Sequence, residues 1–215
     1  MQSTDPTQPD TRSLGNTATP PLVLLDRDGV INQEPRGSYI TTASEWIPIP
    51  GSLEAIGRLS RAGFRVVIVS NQSAVGRGVL ELSDLDAIHS QLRGAVERAG
   101  GHVSGIFYCP HHPDDGCECR KPAPGLIHRA EAVLGFSARG APMVGDQLSD
   151  VLAARRAGCR PLLVRTGRGC EISLDHTELA GVPVYGDLAE AANAILTEFR
   201  PDPDGGPSVD PRAFP

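Results

Sequence analysis

The sequence is poor in several features, and each shortage closes off a class of protein. Basic residues do not dominate: 20 Lys and Arg stand against 26 Asp and Glu, for a formal charge of −6. With no basic stripe and only 4% aromatic residues, nucleic acid is not an expected partner. No stretch approaches the ~20 consecutive apolar residues that span a bilayer, so no membrane partner is expected either. The first residues show no basic patch followed by an apolar run, which is not how a secretory signal reads. Cysteines number five, an odd count with three of them crowded into residues 109–119. That pattern argues against a disulfide framework and for thiols in a reducing cytoplasm. The expectation is a cytoplasmic protein, with a monomer as the default.

The 215 residues, 40% of them apolar, suffice for one hydrophobic core. Residues 1–19 hold almost nothing apolar beyond Leu14, and residues 201–215 carry five prolines. Both read as disordered tails, which leaves one domain over 20–200, a usual single-domain size. Within it, apolar runs alternate with helical patterns. The runs 21–25, 64–70, 105–109, 141–145, 161–165 and 182–186 read as strands. Leu53, Ile56 and Leu59 mark a helix stopped by Gly63. Ser83 reads as the cap of a second helix bearing Leu85, Ile88, Leu92, Val96 and Ala99 on one stripe. Further helices carry Leu126, Ile127, Ala130 and Leu134, a stretch closed by Gly158, and finally Leu188, Ala191, Ala192, Ile195, Leu196 and Phe199. Such alternation predicts a Rossmann-like α/β three-layer sandwich around a mainly parallel sheet, with ligands beyond the carboxyl ends of its strands.

Polar residues fall at those ends. The first strand runs into "LDRDGVIN", where Asp26 and Asp28, two apart in extended backbone, point to the same side. Two close carboxylates repel one another, and a divalent cation with oxygen ligands relieves the repulsion. By itself D-x-D-G is equally a turn. The second strand ends in "SNQSAVGRG", small polar side chains and glycines that suit a phosphate or simply a polar loop. The fourth ends in "VGDQLSD", placing Asp146 where strand meets helix and Asp150 one turn on; acidic residues there also suit the helix dipole. It is the arrival of Asp26, Asp28, Ser70 and Asp146 at one rim that argues for a site.

After the third strand comes "CPHHPDDGCECRKPAPG". Cys109, His111, Cys117 and Cys119 form a C-x-H-x5-C-x-C set, three sulfurs and a nitrogen, that suits a closed tetrahedral Zn²⁺ site. His112 offers an alternative nitrogen. Arg120 and Lys121 follow directly, stiffened by Pro122 and Pro124. A disulfide between Cys117 and Cys119 is too short in sequence to be comfortable, and unrelated core thiols sit badly with the polar filling "HHPDDG".

In order and spacing over residues 21–165, "DRDGVIN", "SNQS", "RKPAPG" and "VGDQLSD" resemble the four motifs of haloacid dehalogenase-type phosphatases. The cysteine loop and "NQSAVGRG" narrow the resemblance to the heptose bisphosphate phosphatases, with histidinol-phosphatases as cousins. This resemblance implies an Mg²⁺-dependent phosphatase that takes the 7-phosphate from a small phosphorylated heptose in nucleotide-heptose synthesis. Asp26 would be the nucleophile and Asp28 the general acid/base. Mg²⁺ would be held by the Asp26 carboxylate, the Asp28 backbone carbonyl and Asp146. Ser70 and Lys121 would bind the transferring phosphoryl group. Family resemblance selects His111 over His112 for Zn²⁺, and the ion would act as a clamp for Arg120 and Lys121. Substrate contacts are implied for Glu34, Arg36, Tyr39, Asn71, Gln72, Ser73, Arg120 and Gln147, the last standing where some relatives have Lys. With no large insertion at the usual positions, the cap should be minimal and the site open.

Two other functions fit the same residues: a histidinol-phosphatase, and a zinc-stabilised binding module without turnover. Among the remaining residues, Cys159 reads as a small buried apolar group and Cys170 as inert in a turn. His89, His102, His128 and His176 read as surface or capping residues, and Trp46 as packing the chain ahead of the first helix.

Overall fold

The computed structural model describes residues 21–35 and 37–199. The tails expected at 1–19 and 201–215, and Arg36, lie outside the described residues. The strands are β1 (Leu22–Leu25), β2 (Arg65–Asn71), β3 (Val103–Cys109), β4 (Pro142–Gly145), β5 (Arg160–Val164) and β6 (Val184–Tyr185). They form one sheet in the order β3-β2-β1-β4-β5-β6, with every neighbouring pair parallel. The helices are α1 (Ser52–Arg61), α2 (Ser73–Gly76), α3 (Leu82–Arg98), α4 (Gly125–Leu134), α5 (Leu148–Arg156) and α6 (Leu188–Glu198).

Alternate strand residues face opposite layers, because side chains alternate along extended backbone. Val23, Leu25, Val66, Ile68, Val144 and Val164 pack with Ile56, Leu59, Leu85, Ile88, Leu92 and Ile195 from α1, α3 and α6. Leu22, Leu24, Val67, Val69 and Met143 pack on the other face with Leu126, Ile127, Ala130, Ala153 and Ala154 from α4 and α5. This is why the central strands are apolar throughout: both sides are covered. Trp46 and Cys159 are buried in these layers, as their sequence contexts suggested. Between β1 and α1 the described chain holds only a short 3-10 turn at Ala43–Glu45, consistent with a minimal cap.

One helix start departs from expectation. Ser83 is not the cap of α3; the helix begins at Leu82, capped by Glu81 in extended conformation. Leu80 is buried in the core just before that point, and no side-chain capping bond marks the helix start. Among the described residues, no helix is long and apolar enough to cross a membrane.

The strand order reverses direction at β1. A crevice therefore opens beyond the carboxyl ends of β1 and β4, where helices leave to opposite faces of the sheet. The functional residues belong there.

Candidate active site and metal centres

Asp26 leaves β1 and Asp146 leaves β4, so the two strands at the crevice deliver one carboxylate each. Both are buried, as is Lys121. The Lys121 ammonium lies 2.9 Å from Asp26 Oδ1 and 2.7 Å from Asp150 Oδ1, and donates to the Val69 carbonyl at 2.8 Å. Asn71 fixes the lysine's backbone: its Oδ1 accepts from Lys121 N–H at 3.0 Å and its Nδ2 donates to Lys121 O at 3.1 Å. The amide of Asn71, expected to meet substrate, is thus spent on positioning Lys121, although the residue also lines the cavity described below.

Burial pushes the Asp26 carboxyl up to about 7, against the pull of Lys121 and with a further push from Asp150. Burial likewise carries Asp146 to about 8, with Asp26 and Asp150 adding to the rise. Burial alone would lower Lys121, but the carboxylates of Asp150 and Asp26 overcome it and raise the lysine above its usual value. Lys121 is therefore a permanent cation.

The repulsion expected within the D-x-D pair is present on one side: Asp28 adds to the rise of Asp26, while its own charge is compensated. Its carboxylate is taken by Arg27, whose Nη2 approaches Oδ1 and Oδ2 at 2.9 Å, and by Asn32 Nδ2 at 2.9 Å and Gln72 Nε2 at 2.8 Å. Burial raises the Asp28 carboxyl, but Arg27 and these hydrogen bonds outweigh it and hold the group below the ordinary carboxylate value. The carboxylates that push Asp26 up are Asp150 and then Asp28, and Asp26, Asp146 and Asp150 bring their oxygens together as a candidate ligand cluster. Gln72 ties the parts together, donating also to Ser70 Oγ at 2.8 Å and accepting from Arg27 Nη2 at 3.0 Å.

The acidic cluster fits a divalent cation. Asp146 Oδ2 accepts from Arg168 N–H at 2.8 Å, whereas Oδ1 is buried with no hydrogen-bond partner. A buried carboxylate oxygen left bare is costly, and a hard cation satisfies it. The packing around it is close. A Cβ on Gly29, which holds φ +80, would lie 2.2 Å from Asp146 Oδ2, so only glycine lets the β1 loop approach the carboxylate.

The second centre also fits its ion. Cys109, His111, Cys117 and Cys119 present donors all within 4.8 Å of one another. Cys117 Sγ is 3.5 Å from both Cys109 Sγ and Cys119 Sγ, and His111 Nδ1 is 3.2 Å from Cys119 Sγ. These are far longer than a disulfide bond and close to the ~3.8 Å sulfur–sulfur edge of a tetrahedron with 2.3 Å Zn–S bonds. Burial raises the Cys109 thiol to about 12. Burial also raises Cys117, but the Arg120 backbone N–H and neighbouring thiols reverse this and bring it to about 7. Cys117 is therefore joined directly to the residue the loop was expected to hold. His112 is occupied elsewhere, accepting from Asp114 N–H at 3.3 Å as a turn cap.

A cavity of about 250 Å³ opens over the site, lined among others by Asp28, Glu34, Tyr39, Gln72, Ser73 and Arg120. Gln147 lines it too. Glu34 is paired with Arg168 at 2.9 Å, so its carboxylate is not free for substrate in this state. A larger hollow of about 390 Å³ beside Trp46, Leu53 and Arg98 contains none of these groups.

Four residues escaped the sequence reading. Asp150 holds Lys121, a role that helix-dipole complementarity does not predict. Arg27, almost wholly buried, neutralises Asp28; nothing in the pattern separates it from a surface arginine. Arg168 reaches Asp146 through its backbone N–H, from the loop that also carries Cys170. His89 is not a surface or capping residue: it is buried, 3.3 Å from Arg27 Nη1, with its ring against Tyr108. Its place on the buried stripe of α3, one residue after Ile88, was the available signal. His176 does cap a turn, accepting from Glu178 N–H.

Comparison with known proteins agrees with this geometry. Residues 118–191 match the family model described as "HAD-hyrolase-like". The chain is 47% identical over 175 residues to the D-glycero-beta-D-manno-heptose-1,7-bisphosphate 7-phosphatase of Pseudomonas aeruginosa, covering 81% of this chain and 97% of that one. The crystal structure of D,D-heptose 1,7-bisphosphate phosphatase from Bordetella bronchiseptica, complexed with magnesium and phosphate, superimposes with a TM-score of 0.79. It is 44% identical and covers 83% of this chain and 99% of its own. The corresponding Burkholderia thailandensis structure gives a TM-score of 0.64 at 36% identity, over 82% of this chain and 99% of that one.

Proposed function

Because the chain belongs to the heptose-1,7-bisphosphate 7-phosphatase family of haloacid dehalogenase-type hydrolases, we propose that it removes the 7-phosphate of D-glycero-β-D-manno-heptose 1,7-bisphosphate. The observation that carries this reading is the buried Lys121–Asp26 pair beside Asp146, whose inner oxygen lacks a partner. A binding module has no need of so costly an arrangement of buried charge.

In the first step an Asp26 oxygen donates an electron pair to the phosphorus and the bond to sugar O7 breaks. The leaving oxygen takes a proton from Asp28. In the second step water attacks the aspartyl-phosphate, Asp28 accepts the water's proton, and the Asp26–phosphorus bond breaks to release phosphate. Dividing hydrolysis in this way lowers each barrier. Lys121 and Ser70 bind the phosphoryl oxygens as charge shifts onto them. The arrangement of Asp28 suits the second step directly, since Arg27 keeps it ionised as a base. For the first step it must carry a proton, and the arriving phosphate dianion raises its affinity for one.

Mg²⁺, as in the Bordetella relative, would be held by Asp26, Asp146 and the Asp28 carbonyl, and supplies charge that lets an anionic carboxylate approach an anionic phosphate. Zn²⁺ in the cysteine loop would be structural, its four positions filled by protein. Arg120, with one buried Nη1 lacking a partner, suits the substrate's second phosphate. We place the reaction in the cytoplasm, on a monomer.

The test is phosphate release with Mg²⁺ from the heptose bisphosphate and from histidinol phosphate. Preference for the former supports this reading. Preference for the latter replaces it with the cousin activity, and release from neither leaves only the binding module.

A further inference from the structure

Four arginines line the active-site cavity: Arg27, Arg77, Arg120 and Arg168. Two are already neutralised, Arg27 by Asp28 and Arg168 by Glu34. Arg77 and Arg120 have no carboxylate partner among the described residues, and Arg120 Nη1 is buried without any hydrogen bond. The wall of the cavity therefore presents two uncompensated cations. A phosphate monoester carries roughly two negative charges near neutral pH, and a guanidinium fork can engage two of its oxygens.

We propose that Arg77 is a specificity residue, the second arm with Arg120 of the subsite for the substrate's 1-phosphate. The assignment rests on the bisphosphate reading above and extends it to a residue outside the catalytic motifs.

Local packing explains how the backbone that carries Arg77, an exposed residue at the end of a four-residue helix, is held in place. Arg77 follows α2 and its N–H bonds to Ser73 O at 3.0 Å. The residue before it, Gly76, lies flat against the cysteine loop. A Cβ there would be 2.3 Å from His112 N and 2.6 Å from the His111 carbonyl carbon. On its other side the same loop runs through Cys119 into Arg120, whose backbone N–H bonds to the Cys117 sulfur. Pro113, between the zinc-binding residues, lines the cavity along with both arginines. One loop thus packs against the backbone beside Arg77 and runs directly into Arg120.

The experiment compares wild type, Arg77→Ala, Arg77→Lys and Arg120→Ala on the heptose 1,7-bisphosphate and on the same heptose phosphorylated only at position 7. Arg77→Ala should raise KM for the bisphosphate roughly tenfold or more, the effect of losing a charge-assisted contact. It should leave kcat, and both constants for the monophosphate, within about twofold. Arg77→Lys, which keeps the charge without the fork, should recover part of the loss. An unchanged KM for the bisphosphate, or an equal rise for both substrates, overturns the assignment. If Arg120→Ala discriminates between the substrates and Arg77→Ala does not, Arg77 alone is excluded. If the wild type shows no preference for the bisphosphate, the whole second-phosphate subsite falls with the functional reading.

Discussion

Asp150 Oδ1 lies 2.7 Å from the Lys121 ammonium, at least as near as Asp26 Oδ1 at 2.9 Å. Its other oxygen accepts from Gln147 N–H at 2.9 Å, so one side chain both starts α5 and holds Lys121. Lys121 is thereby shared between two buried carboxylates, and removing the charge of one lets it collapse onto the other. Asp150→Asn keeps an oxygen for the Gln147 N–H but loses the ion pair. Its kcat should fall roughly 10- to 100-fold, the order expected when a partner that orients a reacting group is lost. Steady-state kinetics on the variant decides the point, and a wild-type kcat would remove Asp150 from the site.

Asp26→Asn should cost activity without costing stability. The wild-type carboxylate is buried among Asp146 and Asp150, and burial disfavours its charge. Replacing it with a neutral isostere relieves that crowding while Asp150 still pairs with Lys121. Turnover should drop roughly a thousandfold or more, since no group remains to form the covalent intermediate. The thermal midpoint should stay within a few degrees or rise. Near wild-type turnover in the purified variant would refute the nucleophile.

The fold was largely legible because each strand is a short apolar run and each helix an apolar stripe, and a buried parallel sheet leaves few other ways to arrange them. The site was legible where a side chain sits at a strand end: Asp26, Ser70 and Asp146 come from β1, β2 and β4 in turn. It was hidden where a role depends on a partner distant in sequence. Arg27 points inward only because Asp28 and Gln72 await it, and Asp150 matters only because Lys121 arrives from another loop. The start of α3 was misplaced because it lies at Leu82, with Glu81 at the N-cap position and no side-chain capping bond to mark it.

Metal in the cysteine loop should be measurable directly. Elemental analysis of the purified chain should find zinc, and Cys117→Ser should lose it together with the Arg120 N–H contact. A structural zinc supplies on the order of 10 kcal/mol of apparent binding energy. Even a third of that, at ~2–4 °C per kcal/mol for a chain of this size, lowers the thermal midpoint by roughly 10 °C. His112→Ala should retain the ion, because His112 caps a turn and His111 faces the thiols. Protein free of zinc, or a His112 variant that loses it, would overturn the ligand assignment.

His89 makes the buried polar cluster sensitive to acid. Burial first, then the Arg27 guanidinium and Arg93, lower its pKa from 6.5 to about 4, against a smaller opposing effect of Asp28. The folded state thus keeps the ring neutral, accepting from Arg27, over a range in which the unfolded chain takes up a proton. A depressed folded-state pKa contributes stability that is complete above about 6.5 and is lost as the pH falls toward 4. The loss should amount to about 3 kcal/mol at the 1.36 kcal/mol per pK unit of proton linkage. His89→Gln offers Arg27 an acceptor that does not titrate, so its urea midpoint should fall less steeply than that of the wild type between pH 6.5 and 4. Carboxylates titrate in the same window in both proteins, which makes the difference between them the informative quantity. Parallel curves would mean that His89 is protonated within the fold and that Arg27 is held by Asp28 and Gln72 alone.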